Sequence, residues 1–170
     1  MKNPIDLIAR NQSGAAGAEM ALITPLLVVL MFGSFELGYY FYNEHVLVKS
    51  VRDAARFGGR QLSLFAPATC TSGPVTGATA TAIDNVARYG KTTTTIADKP
   101  KIYTWTTAVT VTMSCPAIGS YAGIYRGKSN VPVITVTASN VTYPSLFQVL
   151  GFTSSNLKLN ASSQSAVMGV

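Results

Sequence analysis

Ionisable and nucleophilic side chains are scarce in this chain. Histidine occurs once, cysteine twice and tryptophan once, and only seven of the 170 residues are acidic. A lone His45 beside Glu44 has no second imidazole with which to share a metal, and Cys70 and Cys115 are too far apart in sequence to form a ligand spacing. No glycine-rich phosphate loop and no serine elbow occurs. The expectation is therefore no catalytic residue, no metal, no cofactor and no small-molecule substrate. Basic residues exceed acidic ones, 13 to 7, for a net charge of +6. Beyond Arg60 they are dispersed: Lys91, Lys99, Lys101, Arg126, Lys128 and Lys158 form no run. A basic stripe interleaved with stacking aromatics is missing, which argues against nucleic acid as a partner. Charged residues make up only 12% of the chain and hydrophobic ones 48%, the balance of a membrane-anchored protein rather than a free soluble one.

What the sequence does have is one long organised stretch, GAAGAEMALITPLLVVLMFGSFELGYYFYNEHVLVKSVRDAARFGG, residues 14–59. It reads as one continuous helix. Its uncharged core, residues 20–35, is short of the roughly 20 residues that spanning requires. Extension to residue 42 gives a sufficient span and takes in Glu36, which is tolerable near the outer interface. Tyr39, Tyr40, Phe41 and Tyr42 then form an aromatic belt at headgroup level. Pro25 lies within the apolar run and removes one backbone donor, so it kinks or loosens the helix there. It is either an ordinary membrane-helix proline or has a specific assembly role. Past the belt the pattern becomes amphipathic. Leu47, Val51, Ala54, Ala55 and Gly58 form a narrow small-residue stripe that should pack on the following domain. Lys49, Arg52, Asp53, Arg56 and Arg60 occupy another face, which is a solvated surface or a site for an anionic partner. The paired glycines Gly58 and Gly59 should end the helix through left-handed or irregular backbone.

Residues 1–13, MKNPIDLIARNQS, make a short polar start with Lys2 and Arg10 as its basic residues. Three readings compete for this start and the apolar run after it: a cleaved secretory signal, an uncleaved signal anchor, and a leader cut on the cytoplasmic side before the apolar run. The first needs a small-x-small site after the run, and GSFELGYYFY offers a poor one. The third has specific support. Cleavage after Gly14 would leave Ala15 as the first mature residue and Glu19 as the fifth, the prepilin pattern. A carboxylate at the membrane edge is costly unless paired, and a neighbouring subunit's freed α-amino group could neutralise it.

These residues carry a family resemblance. The stretch resembles the TadE-like family, the pseudopilins or minor pilins of the tight-adherence (Tad, or Flp) pilus. The shared features here are Glu19, Pro25, Glu36 with Gly38, and Ala54-Ala55-Arg56 with Gly58. ITVTASNVTYPS and LNASSQSAVM are similar, more loosely, to the family's terminal strands. The resemblance implies cleavage by a prepilin peptidase, residence in the bacterial inner membrane and assembly with other pilins or pseudopilins. Lys and Arg counted near the two membrane ends favour a cytoplasmic C-terminus, with Lys2 and Arg10 against Lys49, Arg52, Arg56 and Arg60. The cysteines, the Thr-rich strands and the resemblance favour export, and they are given precedence.

In the remainder, residues 61–78 read as loop. TATAIDNVARYG, residues 79–90, reads as a short helix with Ile83, Val86 and Ala87 inward and Gly90 as its stop. A Thr-rich connector comes next, as loop or short strand. IYTWTTAVTVTMS, residues 102–114, reads as one long strand or a strand pair, VPVITVTASNVTY, residues 131–143, as a second, and LKLNASSQSAVM, residues 157–168, as a third. Residues 146–152 form a short apolar turn or helix between the last two. Asn140-Val141-Thr142 and Asn160-Ala161-Ser162 match a glycosylation pattern by chance. Cys70 and Cys115 would pair in an oxidising compartment.

The resulting expectation is an α+β chain: a prepilin-type leader at 1–14, an N-terminal helix at 15–60 (membrane-spanning 20–42, amphipathic 43–60) and an exported domain with a small antiparallel sheet at 61–170. Processing falls at Gly14 and Ala15, assembly on Glu19, Pro25 and Glu36, and a disulfide on Cys70 and Cys115. The expected role is a non-enzymatic minor pilin supporting pilus assembly and surface adhesion, its C-terminal domain periplasmic. The alternatives are an uncleaved single-span exported binding or adhesion protein and, less supported, a small secreted enzyme.

Overall fold

The computed structural model describes residues 13–66, 70–117, 123–151 and 157–169. The leader expectation at residues 1–14 lies outside them except for its last two residues. The chain divides into two compact units, Met1–Tyr39 and Tyr40–Val170.

The first unit is the apolar part of helix α1, which runs unbroken from Ser13 to Gly59 with Pro25 inside it. The window that qualifies it as a candidate membrane span has a mean hydropathy of 2.0 and no burial. Thr24 and Ser34 close their hydroxyls on the helix itself. Thr24 Oγ1 donates to the Met20 carbonyl at 2.6 Å and Ser34 Oγ to the Leu30 carbonyl at 2.8 Å. Polar groups satisfied in this way can face hydrocarbon at low cost.

The second unit contains the rest of α1, then α2 (Leu62–Phe65), β1 (Gly73–Pro74), α3 (Gly77–Tyr89), β2 (Thr110–Ser114), β3 (Val133–Thr142), a 3-10 turn (Leu146–Leu150) and β4 (Lys158–Ala166). The four strands form one antiparallel sheet in the order β1-β2-β3-β4. Alternation buries Ile134, Val136 and Ala138 of β3, and Leu47, Val51, Ala54 and Ala55 of α1 and Ile83 and Ala87 of α3 are buried as well. A small-residue stripe lets a helix lie close to a sheet. Asn140 takes a positive φ of 59° and breaks the β3–β4 register between Ala138 and Val141. Its N–H is met by Asn160 Oδ1 at 2.9 Å. The bulge flips the inward parity, so Val141 and Tyr143 are buried beyond it.

The structure corrects several expectations. Residues 102–109 are not strand, because their backbone is partnered elsewhere. Trp105 N–H closes a turn on the Ile102 carbonyl, Lys101 N–H reaches the Arg88 carbonyl, and Val109 N–H donates to the Asp84 carboxylate. Trp105 and Ile102 are nevertheless buried, at the three-residue spacing of a turn rather than the two-residue spacing of a pleat. Residues 61–78 are not simply loop: they hold α2, β1 and the first two residues of α3. The described sheet has four strands, and the strand beyond β2, β3 and β4 comes from Gly73–Pro74, not from a strand pair within 102–114. β3 and β4 are slightly shorter than read. The long helix does end at Gly59 as expected, but neither Gly58 nor Gly59 has a positive φ. Their role is close approach. A Cβ on Gly58 would lie 2.7 Å from Ile134 Cδ1, and one on Gly59 would lie 2.8 Å from the Ala166 carbonyl oxygen. α3 does end as expected, at a left-handed Gly90 whose N–H caps the Val86 carbonyl.

Candidate assembly helix

The residues read as functional are strung along α1 rather than gathered in a pocket. Gly14 and Glu19 are exposed on its first turns, Pro25 is exposed, and Glu36 is half-buried. Ala15 is helical in its backbone. At 1.5 Å per residue, Glu19 and Glu36 stand about 25 Å apart along the axis, close to the thickness of a bilayer's hydrocarbon core. Between them Leu22, Leu26, Val29, Leu30 and Phe35 are at least half exposed. The arrangement is a rod with an apolar surface and a carboxylate near each end.

Beyond the rod, Lys49, Arg52, Arg56 and Arg60 are exposed on one side of the amphipathic half, and His45 is exposed as well. Asp53, on the same side, is half-buried. Lys101, from the connector after α3, is drawn into this face. Burial lowers its ammonium below the ordinary lysine value, with Asp53 opposing and Lys49 adding to the shift. The connector itself is pinned by Asp98. Its carboxylate accepts from Thr95 N–H at 2.8 Å and pairs with Lys91, and the Lys91 contact is the main reason that it is held below the ordinary carboxylate value.

Cys70 and Cys115 are joined as a disulfide, with Cα atoms 5.8 Å apart. The bond ties the segment leading into β1 to the residue after β2. Two further clamps were not singled out from the sequence. Asp84 and Arg88 form a bidentate pair on α3, and Asp84 also accepts the Val109 N–H, so one buried carboxylate joins the helix to the start of β2. The i,i+4 spacing of opposite charges on a helix was a readable signal for the pair. Lys128 Nζ donates to the Phe65 carbonyl at 2.6 Å and lies 4.3 Å from the centre of the Phe65 ring. No local pattern announces that contact, since 63 residues separate the partners.

A shallow groove of about 380 Å³ beside β1, lined by Leu64, Thr71, Pro74, Thr76 and Met113 among others, carries no ionisable side chain. Among the described residues no three of His, Cys, Asp and Glu come together in a metal-binding arrangement.

Fold and helix together define an α+β protein whose N-terminal helix is long and apolar enough to cross a membrane. Residues 14–56, within this helix, match the family model described as TadE-like protein. No curated protein and no solved structure matches the chain.

Proposed function

We propose that this chain is a minor pilin or pseudopilin of a Tad (type IV-like) pilus, anchored in the bacterial inner membrane with residues 61–170 in the periplasm. Residues 1–14 form a leader that a prepilin peptidase removes after Gly14. The helix of residues 15–60 then crosses the membrane over 20–42 and docks on the exported domain over 43–60. The observation that carries the reading is Glu19: an exposed carboxylate at the start of an exposed apolar helix, inside a TadE-like segment. Such a charge needs a counter-charge at the membrane edge. The new α-amino group of a neighbouring subunit, at its own Ala15, supplies it as helices pack side by side. Heterologous packing of this kind builds open helical assemblies rather than closed rings. The protein serves the pilus, and through it surface adhesion, as a structural part.

The test is the amino terminus of the protein recovered from membranes and from sheared surface fibres. Mass spectrometry should find Ala15 first, and Gly14→Leu should abolish that species. A chain beginning at Met1 in both fractions would overturn the processing step and favour an uncleaved single-span anchor.

A further inference from the structure

We infer that the basic stripe on the amphipathic half of α1, Lys49, Arg52, Arg56 and Arg60, is a docking surface for an acidic helix of a different protein. The inference rests on the fold of residues 40–170 and on neither the processing nor the membrane reading of the proposed function.

The stripe belongs to a helix held from its other side. Steps of three, four and four residues keep the four cations on one side over about 17 Å of axis. All four are exposed, while Leu47, Val51, Ala54 and Ala55 are buried. Before the stripe, the Tyr40 ring meets that of Tyr143 edge-on with centroids 5.4 Å apart. At its far end the Gly59 carbonyl accepts from Met168 N–H at 2.7 Å. The spacing of the cations is thus set before any partner arrives, which lowers the cost of binding one.

The domain leaves this row unneutralised. No ion pair or side-chain hydrogen bond joins Lys49, Arg52, Arg56 or Arg60 to another described residue. Residues 40–170 hold four acidic side chains, Glu44, Asp53, Asp84 and Asp98, and none of them is exposed. Asp84 and Asp98 are engaged by Arg88 and Lys91. Asp53 shares its side of the helix with Lys101, a further basic group brought to the same face.

A second copy of the chain cannot cover the stripe. Its domain exposes no carboxylate, and its Glu19 and Glu36 stand about 25 Å apart along the axis, against steps of about 4.5–6 Å in the stripe. Three of the four cations are arginines, whose planar forks suit carboxylate or phosphate. Carboxylates three and four residues apart on a partner helix repeat the stripe's own spacing. Lipid headgroups hold no fixed spacing, and no exposed aromatic lies between Lys49 and Arg60 for nucleic-acid bases to stack on.

The test uses the full chain in non-ionic detergent and an alanine-rich helical peptide of about 20 residues whose glutamates repeat the three-four-four spacing. An isomer carries the same glutamates spread around the helix. Fluorescence anisotropy at about 50 mM salt should show the striped peptide bound at least fivefold more tightly than the isomer, and more weakly at about 300 mM. Arg52→Gln with Arg56→Gln should weaken the striped peptide at least tenfold. Arg126→Gln with Lys158→Gln, two exposed cations off the helix, should leave it within twofold. Arg52→Glu with Arg56→Glu should instead bind a lysine-striped peptide, which a misfolded chain could not do. Equal binding of the two isomers, or equal loss in both glutamine variants, would reduce the surface to net charge and overturn the inference. Tighter binding to short-chain phosphatidylglycerol or to a DNA duplex would assign the stripe to phosphate and also overturn it. None of these readouts depends on the amino-terminal species, so failure here leaves the proposed processing standing.

Discussion

Gly58 and Gly59 show how finely the helix is fitted to the sheet, and their neighbours differ in what they can yield. Alanine gains up to about 1 kcal/mol over glycine within a helix. At Gly58 the added methyl meets the Cδ1 ends of Ile134 and Ile83, at 2.7 and 3.1 Å, which can rotate away. At Gly59 it meets the backbone oxygen of Ala166, at 2.8 Å, which cannot. That turn is fixed further by the Gly59 carbonyl, which accepts from Met168 N–H at 2.7 Å. Gly58→Ala should therefore change stability by less than about 1 kcal/mol, whereas Gly59→Ala should cost about 2 kcal/mol. Denaturant unfolding of the full chain in detergent micelles would check both. Asp98 offers a test by pH. Its folded-state carboxyl sits below the ordinary value of 3.8. Its contribution is therefore complete above that value and is lost as pH falls through the lower folded one. The amide shift of Thr95, which donates to this carboxylate, should titrate with a midpoint below 3.8. A midpoint at or above that value would contradict the assignment.

At the scale of elements, β1 could not survive alone. Two residues paired to Thr112 and Met113 hold little free energy, and the disulfide supplies what the pairing lacks. Replacing both cysteines by serine opens a loop with a sequence separation of 45, worth up to about 4 kcal/mol in the chain-entropy description. The expected result is loss of protection at the Val75 amide, which bonds to the Val111 carbonyl. Amides in the β3–β4 ladder should stay protected. Uniform loss across the sheet, measured by hydrogen exchange, would show that β1 is not an appendage. Elements were legible where local rules govern them. α3 was readable because apolar spacing and Gly90 agree, and β3 because its alternation matches its burial. β1 was not readable, since Gly73 and Pro74 are poor strand formers and only the covalent clamp recruits them. Residues 102–109 misled because β-branched and aromatic composition suits a strand, whereas Ile102 and Trp105 are buried in a turn closed between them.

For the whole molecule, the decisive residue is Glu19. Under the proposed function it takes no part in folding the domain and acts only between subunits. Glu19→Ala should leave the unfolding of residues 40–170 unchanged while reducing recovery with co-expressed pilins at least tenfold, read by crosslinking in membranes. Equal recovery would remove the charge-pairing account. The processing and assembly positions named from the sequence lie along α1 and are not brought together, whereas Cys70 and Cys115 are joined. Pairing between subunits is a property of an assembly, and a single chain cannot display it.

Sequence alone determined the long N-terminal helix, its TadE-like character, the α+β class and the apolar stripe of Leu47, Val51, Ala54 and Ala55. These arise from hydropathy, period and short-range spacing, which are local along the chain. Tertiary structure alone decided the fourth strand, the close approach at Gly58 and Gly59, the Asp84 bridge to Val109, the Lys128 clamp on Phe65 and the meeting of Tyr40 with Tyr143. Each of these joins residues far apart in the chain. Which distant groups meet is set by how the helix and sheet pack as solids, and no local pattern encodes that.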